Sequence, residues 1–179
     1  MDADDLSAAA TFWNAGGEPS NFVIMDTVSL KIANQKDVSK FQTCRDLSHT
    51  VTLHVGQSQL QSITVNSLIL ALHSSVFEKL LFSGEETIEI DSSLQKLPQI
   101  GDAVHQAILF LHGKDIQISQ EVLEVCFGFA YVYDISVLSS LCLERYPTFI
   151  KSGEDFEHSF LRIARNYPSP WRETLLLSL

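Results

Sequence analysis

The stretch Ser67-Leu-Ile-Leu-Ala-Leu-His-Ser-Ser-Val-Phe-Glu-Lys-Leu-Leu-Phe82 decides the fold of this chain. Its apolar residues recur at spacings of three and four, which is typical of a helix with a broad buried face. Ser83 and Gly84 follow at once, and a glycine in this position commonly ends a helix. The spacing therefore predicts one continuous helix over 67–82 at the centre of the core, with Leu72 and Phe77 among the core residues.

Short strands are predicted on both sides of this helix. Before it, Val51–Val55 alternates apolar and polar residues, Gly56-Gln57-Ser58 predicts a turn, and Gln59–Val65 predicts the returning strand of a hairpin. After it, Thr87–Ile90 alternates in the same way. A period of two is typical of a strand with one buried face, so we expect the helix to lie against a small sheet.

Helical spacing recurs between residues 98 and 147, and a polar residue suited to capping precedes each stretch. The strands are too few and the connections too short for a doubly wound sheet. A small α+β domain, with a mixed sheet and a cluster of helices, fits best. The expected elements are a helix capped by Asp102 and ended by Gly113, a short strand at Ile116 and Ile118, a helix capped by Ser119 that runs to Tyr133, and a helix capped by Ser136 that ends at Pro147.

The N-terminal part of the chain divides into two segments. Residues 1–21 combine acids, alanines and helix-breaking residues, which predicts a flexible acidic tail. Its aromatic pair, Phe12-Trp13, is expected to pack on the chain's own domain, with a docking motif as the alternative. Residues 22–47 predict a strand over Phe22–Ile32 followed by a short helix, and together with a core over 48–146 they form the predicted domain.

The C-terminal part, residues 147–179, predicts a short helical extension of that domain. Phe156–Tyr167 has the spacing of an amphipathic helix. The closing segment Leu175–Leu179 is apolar, and two fates are open for it. Either it docks on the preceding helices, or the natural chain continues beyond it.

Composition limits the possible partners. The chain carries 22 acidic and 12 basic residues, a net charge of −10. Nucleic-acid binding needs clustered Lys and Arg, and an acidic surface is repelled by anionic membranes, so we expect neither partner. The acidic N-terminus is unlike a signal peptide, and the odd count of three cysteines favours a reducing compartment. The cytoplasm or the nucleus is the expected location.

Candidate catalytic and metal-binding residues are few. No Cys-x-x-Cys, His-x-x-x-His, Gly-x-Ser-x-Gly or phosphate-binding loop occurs in the sequence. We therefore expect no enzyme activity, no cofactor and no metal, although a hydrolase or transferase with an unrecognised site remains an alternative. The residues weighed and set aside are Cys44, His49 and His54 as metal ligands, His105 and His112 as a helix pair expected to be solvated, Cys126 and Cys142 as buried thiols, and Glu85, Glu86, Glu89 and Asp91 as a solvated acidic turn.

Five stretches occur in an order and at a spacing that are together more specific than any one of them. They are Val51–Gly56, Leu68–Leu81, Ala107–Gly113, Ile116–Ser119 and Ala130–Ile135. This set resembles the signature of the BTB/POZ family, and the resemblance extends from Asp46 to Tyr146. It implies a compact fold that dimerises or binds partners, often as an adaptor for cullin-RING ubiquitin ligases, here with the start of a helical extension. It implies no enzymatic activity.

The chain departs from the family pattern at positions that bear on partner choice. Asn66 and Ser67 stand where many members have a His-Lys pair, which argues against the subclass of transcriptional repressors. Cullin-binding members often carry an apolar-x-Glu motif, and here Gln106 stands in place of the Glu. A dimerising scaffold, or a transcription-related assembly module without cullin binding, is the alternative function. The cullin-facing residues that the resemblance implies are Val104, His105, Gln106, Tyr131 and Tyr133.

The predicted N-terminal strand and helix have the order found in family members that exchange a strand between two protomers. A lone edge strand exposes unpaired backbone groups, and the sheet of a partner satisfies them. The alternative is a strand that completes its own sheet. The dimer, with itself or with a related BTB protein, is expected to use Val28, Leu30, Ile32, Phe41 and Leu47.

Overall fold

In a computed structural model of the chain, the structure describes residues 21–23, 50–56 and 61–179. The described strands are β1 (Asn21–Val23), β2 (Thr50–Val55), β3 (Gln61–Asn66) and β4 (Thr87–Glu89). They form one mixed sheet in the order β1-β3-β2-β4. β2 and β3 are antiparallel, whereas β1 lies parallel to β3 and β4 lies parallel to β2.

β2 and β3 form the predicted hairpin, with Leu53 opposite Ile63. The apolar residues of both strands lie on one face and are at most 1% exposed, while the polar residues between them are half-buried or exposed on the other face. The alternating pattern therefore predicted the buried face correctly. Residues 57–60, which include most of the predicted turn, lie outside the described part of the chain.

β1 lies alongside β3 of its own chain, with Phe22 opposite Ile63. Over these three residues the strand completes its own sheet. The rest of the predicted strand, the predicted helix before the core and all five predicted interface residues, Val28, Leu30, Ile32, Phe41 and Leu47, lie outside the described residues, as do residues 1–20. Strand exchange between protomers thus stays a prediction.

The stretch 67–82 forms two helices, α1 (Ser67–His73) and α2 (Ser75–Phe82), so the prediction of one continuous helix was wrong. Ser74 separates them in an extended conformation, with φ −140° and ψ 122°. Its hydroxyl accepts the N–H of Phe77 and donates to the backbone carbonyl of Tyr133. Phe77 is fully buried as predicted, whereas Leu72 is only half-buried.

The remaining helices agree with the predicted order but not with every predicted boundary. Ser119 caps its helix as predicted, since its hydroxyl accepts the N–H of Val122. Asp102 lies inside the first turn of its helix, which begins two residues earlier, and Ser136 lies one residue past the N-cap. The helices are α3 (Ser92–Gln95), α4 (Ile100–Leu111), α5 (Gln120–Val132), α6 (Ser136–Arg145), a 3₁₀ turn (Tyr146–Phe149), α7 (Gly153–Asn166) and α8 (Trp171–Leu176).

The predicted short strand at Ile116 and Ile118 does not form, and these residues are an irregular connection between α4 and α5. Ile116 still packs into the core at 4% exposure, and its backbone carbonyl accepts a hydrogen bond from the guanidinium of Arg145 at 3.0 Å. This side-chain bond satisfies a carbonyl that a neighbouring strand would otherwise satisfy.

The centre of the helical layer is α5, in which every residue from Leu123 to Ala130 is buried. A helix that is buried on all sides lies inside the core rather than at its surface. α4 and α6 pack against it, and so does α8 of the extension. The architecture is the predicted α+β fold with a helical extension.

Candidate functional site

The structure places the three predicted positions on α4 at different depths. Val104 is fully buried, so its side chain cannot form part of a contact surface, and this part of the prediction was wrong. His105 and Gln106 are half-buried. Burial lowers the pKa of His105, and the nearby Asp102 opposes this change. Of the predicted motif, His105 and Gln106 are therefore the partly exposed residues.

The two predicted tyrosines on α5 also lie in different environments. Tyr133 is 4% exposed, and its ring stacks on Phe77 with the centroids 4.3 Å apart. Its hydroxyl accepts the N–H of Asp91 at 2.9 Å, and burial raises the pKa of the phenol to about 12. It is a core residue, which corrects its assignment to a cullin-facing surface.

Tyr131 is 41% exposed, and its ring lies near that of Phe127, one turn earlier on α5. Phe127 in turn contacts Trp171 of α8, so Tyr131 lies on the side of α5 that faces the extension. Gln106 lies one turn before Phe110 on α4, which faces α6. The five predicted residues consequently do not form one patch.

An open groove of about 370 Å³ lies between α4 and α6. Val137 is 45% exposed there. Gln106 is not among the lining residues and lies four residues before Phe110 on the same side of α4. One signal for this surface is present in the sequence, an apolar Val137 directly after the start of a helix. The groove is lined by Phe110, Ser136, Val137, Ser140, Leu141 and Glu144.

A buried ion pair joins α5 to the extension, and sequence reasoning missed it. Glu124 is completely buried, yet its carboxylate accepts two hydrogen bonds from the guanidinium of Arg162, at 2.6 and 3.1 Å. The hydroxyls of Tyr146 and Tyr167 donate to the same carboxylate at 2.7 and 2.8 Å. Four donors satisfy the charge, as a buried carboxylate requires.

Glu124, Tyr146, Arg162 and Tyr167 form a cluster. Its burial and its hydrogen bonds shift the pKa values of the three residues that donate to Glu124. Hydrogen bonding to Glu124 raises the pKa of Arg162. Burial, together with the adjacent carboxylate, raises the pKa of Tyr146 to about 12 and also raises that of Tyr167. All three donor residues therefore keep their protons at neutral pH, and the cluster acts as a fixed attachment for α7.

A second contact attaches α8 to α5. Trp171 is 2% exposed and packs over Gly128, where an added Cβ would lie 2.8 Å from Cζ2 of the indole. Leu175 is fully buried on the same side, while Leu177 is 89% exposed. The closing segment thus docks on the preceding helices through Leu175, which is one of the two alternatives predicted for it.

Of the metal and nucleophile candidates, Cys44 and His49 lie outside the described residues. Cys126 and Cys142 are buried free thiols. Burial raises the pKa of Cys142 to about 12 and that of Cys126 well above its ordinary value, so neither forms a reactive thiolate at neutral pH. His112, like His105, is half-buried rather than solvated. Across residues 50–56 and 61–179, no group of three or more His, Cys, Asp or Glu is arranged to hold a metal ion.

No helix in the described part of the chain is long and apolar enough to cross a bilayer.

Comparison with known proteins agrees with the architecture. A search of curated proteins finds no match to this chain. The family model for the BTB/POZ domain matches residues 40–149, which is more than half of the chain. Domains of this family mediate protein–protein interactions, generally pair with themselves or with related domains, and are generally not enzymes. The chain therefore belongs to the BTB/POZ domain family.

Proposed function

We propose that the chain is a dimerising adaptor of a cullin-RING ubiquitin ligase and binds the N-terminal region of the cullin. Membership of the BTB/POZ family supports a role in protein–protein interaction. The exposed groove between α4 and α6 supports a specific place for the partner. The dimer, formed with itself or with a related BTB protein, is proposed to use the segment 22–47, for which the sequence predicts a strand containing Val28 and Leu30 and then a helix. The protein is proposed to act in the cytoplasm or nucleus.

The observation that carries the proposal is the exposure of apolar side chains at the groove. Val137 is 45% exposed, and Phe110 and Leu141 lie half-buried beside it. Apolar anchors in a groove, surrounded by polar residues, are typical of a site that receives an amphipathic helix. Ser136, Ser140 and Glu144 supply the polar surroundings.

The amide of Gln106, on α4, bears on which partner residue the chain can bind. Gln106 is half-buried and lies one turn before Phe110, so a partner that extends from the groove along α4 would reach its amide. An amide can accept a hydrogen bond as a carboxylate does, but it offers no charge to a Lys or Arg. We therefore expect a Glu at this position to bind a basic partner residue more tightly.

One observation favours the alternative, a dimerising scaffold without cullin. The Glu of the family's cullin-binding motif is replaced by Gln106, and the apolar position of that motif, Val104, is buried. If the groove serves a scaffold, it should bind a partner other than cullin.

The test is a titration with the purified N-terminal region of a cullin, followed by calorimetry. We expect the wild-type chain to bind, Val137→Glu to weaken binding at least about tenfold by placing a charge among apolar contacts, and Gln106→Glu to strengthen it. Phe82→Glu is the matched control, because Phe82, on α2, is exposed to a similar degree but lies outside the groove. Absence of binding by both the wild type and Gln106→Glu would favour the scaffold.

A further inference from the structure

β4 lies at one edge of the sheet, with β2 on its inner side. The backbone carbonyl of Glu86 accepts the N–H of Thr52 on β2 at 3.0 Å. Beyond the other end of β4, the N–H of Ile90 donates to the carbonyl of His54 on β2, also at 3.0 Å. The backbone from Glu86 to Ile90 is therefore extended, and its inner side is paired with β2.

The outer side of β4 is unpaired. Successive residues of a strand direct their backbone groups to opposite sides, so those of Thr87 and Glu89 point away from β2. Both residues are exposed, and no described residue bonds to their backbone groups. Ile88 between them is 5% exposed, which places its side chain on the core face and their side chains on the outer face. The N–H and C=O groups of Thr87 and Glu89 are thereby open to a further strand.

Exposed acids lie along this edge. Glu85 and Glu86 come directly before β4, Glu89 is its last residue, and Asp91 follows two residues later. Across residues 50–56 and 61–179, no salt bridge neutralises any of them. Hydrogen bonds from the hydroxyl and the N–H of Ser93 lower the pKa of Asp91. The edge thus combines open backbone groups with a concentration of negative charge.

We propose that the outer edge of β4 binds an extended, basic segment of a partner protein as an added strand. The open backbone groups require an extended chain, because only a strand that runs alongside β4 can bond to them in succession. The acids determine its charge, since a Lys or Arg beside Glu89 forms an opposite-charge pair on the outer face. The next residue of the added strand lies on the core face beside Ile88, where an apolar side chain fits. We therefore expect the segment to alternate basic and apolar residues.

The same charges argue against a second copy of the chain at this edge. Two β4 edges brought together would place Glu85, Glu86 and Glu89 of one copy against those of the other, and like charges on paired strands are destabilising. Charged residues on a short edge strand commonly prevent such self-pairing. The net charge of −10 repels further copies over longer distances but attracts a basic segment.

Amide hydrogen exchange of the full chain, resolved by residue, tests the inference with a short blocked peptide of alternating Lys and Val. In the free chain, the amides of Thr87 and Glu89 should exchange fast, and those of Ile88 and Ile90 slowly because they face β2. With the peptide bound, we expect Thr87 and Glu89 to exchange slowly as well. If the two amides become protected on raising the chain concentration without peptide, the occupant is a second copy and the inference is wrong.

Two changes separate strand addition from attraction by charge alone. The same peptide with every backbone amide N-methylated keeps its charge but cannot donate to β4, and it should bind at least about tenfold more weakly. Glu89→Lys should also weaken binding at least about tenfold, because like charges then meet on neighbouring strands. Glu157→Lys is the matched control, since it changes the net charge equally at an exposed position on α7, and it should alter binding less than about twofold.

Circular dichroism checks that both variants are folded, and the peptide arms use the unchanged chain. A peptide that does not bind would overturn the inference. So would equal binding of the N-methylated peptide, or equal losses in Glu89→Lys and Glu157→Lys, because either result would mean that charge alone attracts the peptide.

Discussion

The guanidinium of Arg162 on α7 donates two hydrogen bonds, of 2.6 and 3.1 Å, to the carboxylate of Glu124, which is completely buried on α5. One partner belongs to the part of the chain matched by the family model and the other lies beyond it. The core thus contains a charge that only the extension, with the help of Tyr146, satisfies. We therefore expect the core and the extension to unfold as one cooperative unit.

Removing Arg162 should destabilise the whole domain. In Arg162→Met the carboxylate of Glu124 stays buried without its cation, and we expect a loss of about 3 kcal/mol in the free energy of unfolding. Urea denaturation followed by circular dichroism measures it. Arg165→Met, an exposed arginine on the same helix, is the control and should change stability by less than about 0.5 kcal/mol. Equal effects of the two variants would show that the cluster does not hold α7.

A methyl group at Gly128 should disturb the packing of α8 on α5. The added Cβ would lie 2.8 Å from Cζ2 of Trp171, so Gly128→Ala should cost about 1–3 kcal/mol of stability despite the better helix propensity of alanine. Gly153→Ala is the matched control, because a Cβ added there in α7 would have nothing within 4 Å, and it should be neutral or stabilising. Thermal melting of both variants decides the point, and a stabilised Gly128→Ala would contradict this packing.

Truncation of Phe77 and of Leu72, both predicted to be core residues, should reduce the stability of the fold by unequal amounts. Phe77 is fully buried between Phe129 and Tyr133, and Phe77→Ala should cost about 3–5 kcal/mol. Leu72 is half-buried near the end of α1, so Leu72→Ala should cost less than about 2 kcal/mol. Chemical denaturation of each variant measures the difference. A larger loss at Leu72 would mean that the break at Ser74 is misplaced.

The buried tyrosines should make the fold sensitive to alkali. Burial raises the pKa of Tyr133 and of Tyr146 from the ordinary value of 10 to about 12. Since the folded state binds these protons more tightly than the unfolded state does, their contribution is complete below pH 10 and is lost as the pH rises towards 12. The melting temperature should therefore fall steeply over this window. Phenolate absorbance of Tyr133 and Tyr146 should appear together with unfolding. If these two phenols ionise near pH 10 in a folded protein, the burial is wrong.

Local patterns in the sequence were sufficient for much of the fold. The hairpin of β2 and β3, the cap at Ser119 and the helix α7 follow from signals within a few residues of each element. Gly113, with φ +74°, ends α4 as predicted because glycine adopts this conformation without strain.

The errors arose where a distant residue decides the local structure. Apolar spacing continues unbroken from Leu72 to Val76, yet Ser74 interrupts the helix and donates its hydroxyl to the carbonyl of Tyr133, which is 59 residues away in sequence. Val104 was assigned to a surface by a motif, whereas the packing of α4 on α5 buries it. No local pattern contains these contacts.

The sequence contains one indication of the buried cluster. Glu124 is an acid at the start of the run Val125-Cys126-Phe127, inside a helix without a polar face at that point. Acids in such positions are rarely buried without a partner. The partner itself could not be identified, because Arg162 and Tyr167 lie 38 and 43 residues further along the chain.

The central claim, that the groove between α4 and α6 receives the N-terminal region of a cullin, is tested most directly by hydrogen exchange of the chain with and without that region. We predict slower exchange in α6 from Ser136 to Glu144 and in the last turn of α4 around Phe110, with α2 unchanged. Exchange that stays the same in the groove, or slows only elsewhere, would contradict the claim.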